Sequence, residues 1–270
     1  MKPRRPPSKT RRPPPDTGGG REKAERWIYG RHAVAAALAN PQRRWYRLAA
    51  LVGHEQEALA LVDRARARQL GDGDAIRVLD RHHFVEILPD GAVHQGLALA
   101  VEPLASPDLV DLVQSAEAAT TRSVIVVLDG VSDPHNLGAV MRSAAAFGAL
   151  AVVLVAHGAP PVTGTLAKAA SGAVESVPLS RVVNLVRALE QLKKAGFWIC
   201  GLEETAPHML TALDLGQRIA IVLGSEGRGL RRLVRECCDY LARLPTRAEH
   251  PTINVSNAAA IALYELLARQ

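Results

Sequence analysis

A chain of 270 residues, 48% of them hydrophobic, can bury two cores or one large one without disulfide or metal staples. Its cysteines, Cys200 and the neighbours Cys237 and Cys238, have neither Cys-x-x-Cys spacing nor partner histidines, which predicts buried thiols in a reducing compartment and no metal site. No apolar run approaches the ~20 residues of a membrane span, and no apolar core follows the Arg- and Pro-rich amino terminus, so a membrane protein and a secretory signal are excluded and the cytoplasm is expected.

The net charge of +6 is unevenly placed. Residues 1–26 hold nine Lys or Arg against three Asp or Glu, so positions 27–270 carry 24 basic and 24 acidic residues and are formally neutral. The segment MKPRRPPSKTRRPPPDTGGGREKAER is too rich in Pro, Gly and charge to bury a core. It is expected as a disordered basic tail that either touches polyanions or only aids solubility.

After the tail, AVAAALAN predicts an alanine-rich helix ended by Asn40-Pro41, followed by a strand over 45–52, an amphipathic helix over 55–69 and a strand over 76–79. This small α/β unit, 27–104, closes with the strand LALAVEPL. His82, His83 and His94 sit at no metal spacing with a carboxylate partner and are expected as exposed loop histidines. Residues 105–122, with proline and small residues, are assigned to a linker, and 123–270 to a second domain. There VIVVL, LAVVLVA, FWICGL and IAIVL alternate with helix-period segments, as a largely parallel sheet covered on both faces requires.

The first of these strands runs into LDGVSDPHNLG and then AVMRSAAAFG. Leu137, Val140, Met141 and Ala144 share one helical face and Arg142 points away from it, free for a ligand or simply solvated. Asn136 stands where it can cap that helix, or act in a site. Later, IAIVL breaks into Gly224-Ser225-Glu226-Gly227-Arg228-Gly229 before a helix near Leu230. A strand at 240–244 leads to Pro251-Thr252-Ile253-Asn254-Val255-Ser256 and a final helix. Two strand ends with glycine and aliphatic main chain, in place of an acidic ribose clamp, predict a pocket for a flat ligand. The glycine loop has neither the G-x-G-x-x-G order nor a G-x-x-x-x-G-K-S/T pattern, and no G-x-S-x-G elbow occurs.

Together LDGVSDPHNLGAVMRSAAAFG, IAIVLGSEGRGL and LPTRAEHPTINVSNAAA resemble, in order and spacing, the three signature motifs of the SpoU family of RNA ribose 2′-O-methyltransferases in the SPOUT superfamily. GRHAVAAAL and HQGLALAVEPL resemble that family's amino-terminal RNA-substrate-binding domain. The resemblance implies an α/β trefoil-knot methyltransferase domain behind a small α/β substrate-binding domain, with S-adenosylmethionine as cofactor. It also implies a homodimer and RNA as partner, 23S ribosomal RNA with guanosine as target. A transfer-RNA ribose methyltransferase and a silent RNA-binding assembly factor are the alternatives.

Carried over by motif, the resemblance makes Asn136, Arg142, Glu226, Thr252 and Asn254 the catalytic set. Backbone around Leu202, Gly224, Leu244 and Ile253 would hold the cofactor. The third motif departs from the usual Ile-Pro-Met and Ser-Leu-Asn, reading Leu-Pro-Thr and Thr252-Ile253-Asn254; the threonine keeps the hydroxyl. The resemblance places Arg142 near the ribose, where it would assist deprotonation; since an arginine is a poor base at neutral pH, its expected role is instead to hold the adjacent phosphate and steer the ribose.

Overall fold

The computed structural model describes residues 27–67, 74–247, 249–250 and 252–269; the expected tail, 1–26, and the end of the helix predicted over 55–69 lie outside these. The first half forms β1 (Trp27–Tyr29), α1 (Arg31–Ala39), β2 (Trp45–Leu51), α2 (Glu55–Ala67), β3 (Asp74–Leu79), α3 (Arg81–Glu86) and β4 (Leu97–Val101). Its sheet order is β1-β4-β2-β3, with β4 antiparallel to both neighbours and β2 parallel to β3. Alternation along the strands sorts the side chains. Ile28, Leu48, Leu97 and Leu99 pack with Val34 and Leu38 of α1, whereas Tyr29, Ala49 and Ala98 face Phe84 of α3.

The second half adds α4 (Leu109–Ala118), β5 (Ser123–Asp129), α5 (Pro134–Phe147), β6 (Ala151–Val155), α6 (Gly164–Ala169), β7 (Leu179–Val182), α7 (Leu185–Lys194), β8 (Trp198–Leu202), β9 (His208–Met209), β10 (Arg218–Gly224), α8 (Arg232–Glu236), β11 (Tyr240–Arg243) and α9 (Val255–Leu263). The strands form one sheet in the order β7-β6-β5-β10-β8-β11-β9, with every neighbouring pair parallel. On one face Val124, Val126, Ile219 and Ile221 meet Leu137, Val140 and Met141 of α5 and Ala259 and Leu263 of α9. On the other, Ile125, Val127, Ala220 and Val222 meet Leu185, Leu189 and Leu192 of α7. Both faces are apolar because both are covered.

The linker expected at 105–122 is partly a helix. Asp108 caps α4 through a reciprocal box with Asp111, and Leu109, Leu112 and Ala116 are buried against the second face of the large sheet. The two halves are also docked directly. Tyr29 Oη and Thr165 Oγ1 share a hydrogen bond of 2.9 Å. Arg43 and Glu175 form an ion pair whose side chains are 2% and 4% exposed. Arg43 Nε donates to both Glu175 oxygens, at 3.2 and 3.0 Å, and its Nη1 donates to the carbonyl of Glu102 at 2.6 Å.

Candidate active site

The two central strands end together, with Gly224 of β10 in register with Asp129 of β5. Strands β6 and β7 lie on one side of this pair and β8, β11 and β9 on the other. Loops therefore diverge at the carboxyl edge and leave a crevice, the usual ligand position in open α/β sheets. The β10 loop is tight: Gly227 and Gly229 have φ of 78° and 64°, and the Gly229 N–H donates to the Ser225 carbonyl at 2.9 Å. A Cβ on Gly224 would collide with the Gly229 backbone. The helix predicted near Leu230 starts at Arg232.

Asn136 does not cap α5. Asp133 does, accepting from the His135 N–H at 2.9 Å with Pro134 at the first helical position. The Asn136 side chain is thereby released into the crevice, where its Nδ2 donates to Glu226 Oε1 at 3.1 Å and its Oδ1 accepts from Asn254 Nδ2 at 3.0 Å. Asn254 Nδ2 also donates to Glu226 Oε1, at 2.6 Å. Asn254 is itself fixed as the cap of α9, its Oδ1 accepting from the Ser256 N–H and hydroxyl at 2.8 and 2.6 Å. One residue from each motif thus meets in a closed triangle, and Glu226 Oε2 has no partner among the described residues.

Beside the triangle lies a cavity of about 400 Å³, walled by Leu202, Gly224, Leu244 and Ile253, the four positions assigned to the cofactor. Thr252 is on its wall and its hydroxyl donates to Glu204 Oε2 at 2.7 Å, so it does not join the triangle. The sequence reading missed the acidic part of this wall. Glu203 and Glu204 line the cavity, Glu203 paired with Arg235 at 3.0 Å. The pair Glu203-Glu204 directly after the strand FWICGL was the available signal. Arg142 is exposed on α5, takes no part in the triangle or the cavity wall, and makes no ion pair among the described residues.

The histidine expectation fails in part. His82 and His83 lie on α3 with carboxylate partners, Glu86 at 3.4 Å and Asp80 at 2.9 Å, and the ligand atoms of His82, His83 and Glu86 lie within 4.8 Å of one another. All three are exposed, and Asp80 caps α3 through the His83 N–H. His94 is half-buried, its ring centroid 4.6 Å from that of Phe84, and burial holds its pKa below the usual value. Burial pushes the thiols of Cys200 and Cys238 up to about 12. Among the described residues no helix is long and apolar enough to cross a membrane.

Residues 123–264 match the SpoU rRNA methylase family, and residues 27–107 the RNA 2′-O ribose methyltransferase substrate-binding family. The chain is 40% identical over 241 residues to the 23S rRNA (guanosine-2′-O-)-methyltransferase RlmB of Escherichia coli, covering 88% of this chain and 96% of that protein. It is 38% identical over 257 residues to an uncharacterized tRNA/rRNA methyltransferase of Synechocystis, covering 94% of this chain but only 65% of that longer protein. The SpoU methyltransferase AviRb of Streptomyces viridochromogenes superposes with a TM-score of 0.75 at 21% identity, over 92% of this chain and 91% of AviRb. An AdoMet-bound rRNA methyltransferase of Sinorhizobium meliloti gives 0.72 at 22% identity, over 92% and 89%. At these identities the two structures share the fold.

Proposed function

The chain belongs to the SpoU rRNA methylase family, and from that premise we propose that it transfers a methyl group from S-adenosylmethionine to the 2′-oxygen of a guanosine ribose in 23S ribosomal RNA. It is an S-adenosylmethionine-dependent RNA 2′-O-ribose methyltransferase. The observation that carries the reading is the triangle of Asn136, Glu226 and Asn254 at the edge of a glycine-walled cavity.

The cavity fits the cofactor. Its volume of about 400 Å³ falls within the range of about 300–1,000 Å³ for small-molecule sites. Leu202, Leu244 and Ile253 supply apolar wall for a flat purine, and Glu203 and Glu204 suit a cationic ligand. The bound cofactor supplies a methyl group already activated on sulfonium sulfur. What remains for the protein is alignment of the ribose and removal of a proton. In our reading Asn136 and Asn254 fix the Glu226 loop, leaving Glu226 Oε2 to accept a hydrogen bond from the incoming ribose. Arg142, permanently charged, holds the adjacent phosphate and is not the proton acceptor.

Two further parts of the reading come from the family. A second copy completes the site, supported by exposed Ile261 and by Tyr264, which stacks edge-on to Phe147 with centroids 6.1 Å apart. The carboxy-terminal segment closes the trefoil knot, supported by the bonds from Thr252 and Asn254 to two other loops. We assign the enzyme to the cytoplasm, with catalysis by Asn136, Arg142, Glu226, Thr252 and Asn254, and keep 27–104 as the RNA-binding domain.

The test is incubation of the purified chain with labelled cofactor and unmodified transcripts of 23S rRNA and of tRNA, followed by ribose-methylation mapping. One guanosine in 23S rRNA is the expected product. Label confined to tRNA would replace the substrate assignment, and RNA binding without label would make the chain a silent RNA-binding factor.

A further inference from the structure

We propose that Arg231 is a pre-oriented phosphate-binding residue for the substrate RNA, held in place by the buried carboxylate of Asp129; the proposal rests on the RNA-methylating reading above. Asp129 ends β5 and is 1% exposed, so its charge requires compensation inside the fold. Both compensating bonds come from one residue. The Arg231 N–H donates to Asp129 Oδ2 at 2.8 Å and Arg231 Nε donates to Oδ1 at 2.6 Å. Main chain and the near edge of the guanidinium are pinned together.

The far edge is left open. Arg231 remains 58% exposed, and its Nη1 and Nη2 have no partner among the described residues. An arginine whose task was only to neutralise a carboxylate can spend its fork on both oxygens, as Arg43 does on Glu175 through Nε and Nη2. At Asp129 the second oxygen goes to a backbone N–H, so the guanidinium keeps terminal donors for another anion. A planar pair of donors matches a phosphodiester, and fixing it beforehand lowers the entropy lost on binding.

Position selects the anion. Arg231 follows directly on the loop that carries Glu226, and its anchor Asp129 is in register with Gly224 at the crevice. It is not part of the cavity wall, whereas Arg228 of the same loop is. The exposed fork therefore faces substrate at the reaction edge, outside the cofactor pocket. With residues 27–270 formally neutral, a cation fixed here contributes to RNA placement more than net charge does.

The experiment measures affinity of the full chain for an unmodified 23S rRNA transcript from about 50 to 300 mM salt, with calorimetry for S-adenosylmethionine and methyl transfer on the same samples. In Arg231→Gln the slope of log affinity against log salt should become shallower by about 0.7–0.9, one phosphate contact, and RNA affinity at low salt should fall about tenfold with cofactor affinity unchanged. Arg231→Lys keeps the charge and loses the fork, so the wild-type slope with weaker binding is expected; it decides the matter should the glutamine variant fold poorly. An unchanged slope and RNA affinity in Arg231→Gln, or wild-type RNA affinity in Arg231→Lys, overturns the proposal. So does loss of cofactor affinity with the RNA slope intact, which would make Arg231 a strut of the Glu226 loop. Failure of the wild-type chain to methylate the transcript counts against the functional reading instead.

Discussion

Replacing Glu175 by alanine should undock the substrate-binding half at a cost worked from the interface itself. The Glu175 carboxylate is enclosed, taking bonds from Arg43 and from Asn40 Nδ2 at 2.9 Å. Without it the Arg43 guanidinium, whose side chain is 2% exposed, keeps only the Glu102 carbonyl. A buried charge stripped of its partner costs about 3–5 kcal/mol, a large part of an ordinary domain stability of about 5–15 kcal/mol. Arg232–Glu236, with side chains 77% and 53% exposed, is the internal control, and Glu236→Ala should cost no more than about 1 kcal/mol. Urea unfolding of the full chain, followed by tryptophan fluorescence and by circular dichroism, measures both. Arg43→Met combined with Glu175→Leu should recover most of the loss, because a hydrophobic pair of similar volume leaves no charge behind. If Glu175→Ala costs less than about 1 kcal/mol, or the double variant is as unstable as the single one, the ion pair does not hold the halves together.

Glu226→Gln keeps the shape of the triangle but removes the charge that receives two amide donors, so single-turnover methyl transfer should slow at least about tenfold with the unfolding midpoint nearly unchanged; a wild-type rate would show that the carboxylate is dispensable. Arg142→Ala should leave folding and cofactor binding near normal while methyl transfer drops by about two orders of magnitude or more, and mixing it with Glu226→Ala should restore part of the activity if one copy serves the site of another. A rate in Arg142→Lys that rises toward the lysine pKa would favour a base role for the residue. With thiol pKa values of about 12, Cys200 and Cys238 are about one part in ten thousand thiolate at pH 8, so alkylation should be slow in the native chain and accelerate on unfolding in urea. Rapid labelling of Cys200 in the folded chain would contradict its burial.

The sheet was legible because parallel strands covered on both faces must be written as unbroken apolar runs, and VIVVL and IAIVL are of that kind. Shorter elements had no such signal. The three residues of β1 and the two of β9 are strands only because β4 and β11 offer them edges to pair with. The helix α4 was hidden by the prolines just before it, yet its start is written in the chain: Asp108 and Asp111 at capping-box spacing, then Leu109, Leu112 and Ala116 on one face. The same rule, a capping residue followed by proline, favoured Asp133 over Asn136 as the cap of α5. Gly224 read as a hole for the ligand, but its missing Cβ is already used by the Gly229 backbone, so a bulkier residue there would break the loop before it tested the pocket. Asp129 had no periodic signature, because pairing with a residue 102 positions later is set by register and not by pattern.

The candidate site itself was readable through its motifs, since the residues of the triangle lie 28 to 118 positions apart and only the shared sheet edge brings them together. The motif spacing that named Asn136 and Arg142 together also separates them. Six residues along a helix amount to about 240° of rotation and roughly 9 Å of rise, so two side chains so placed on α5 cannot turn toward one centre. Asn136 is held at the cavity edge by Glu226 and Asn254, and Arg142 accordingly points elsewhere, exposed and unpaired among the described residues. A helix that presents one functional residue inward and another outward serves two surfaces. In the dimer we propose, the outward surface is the one a second copy and its RNA would meet, which would account for the absence of the arginine of the first motif from the cavity wall of its own chain.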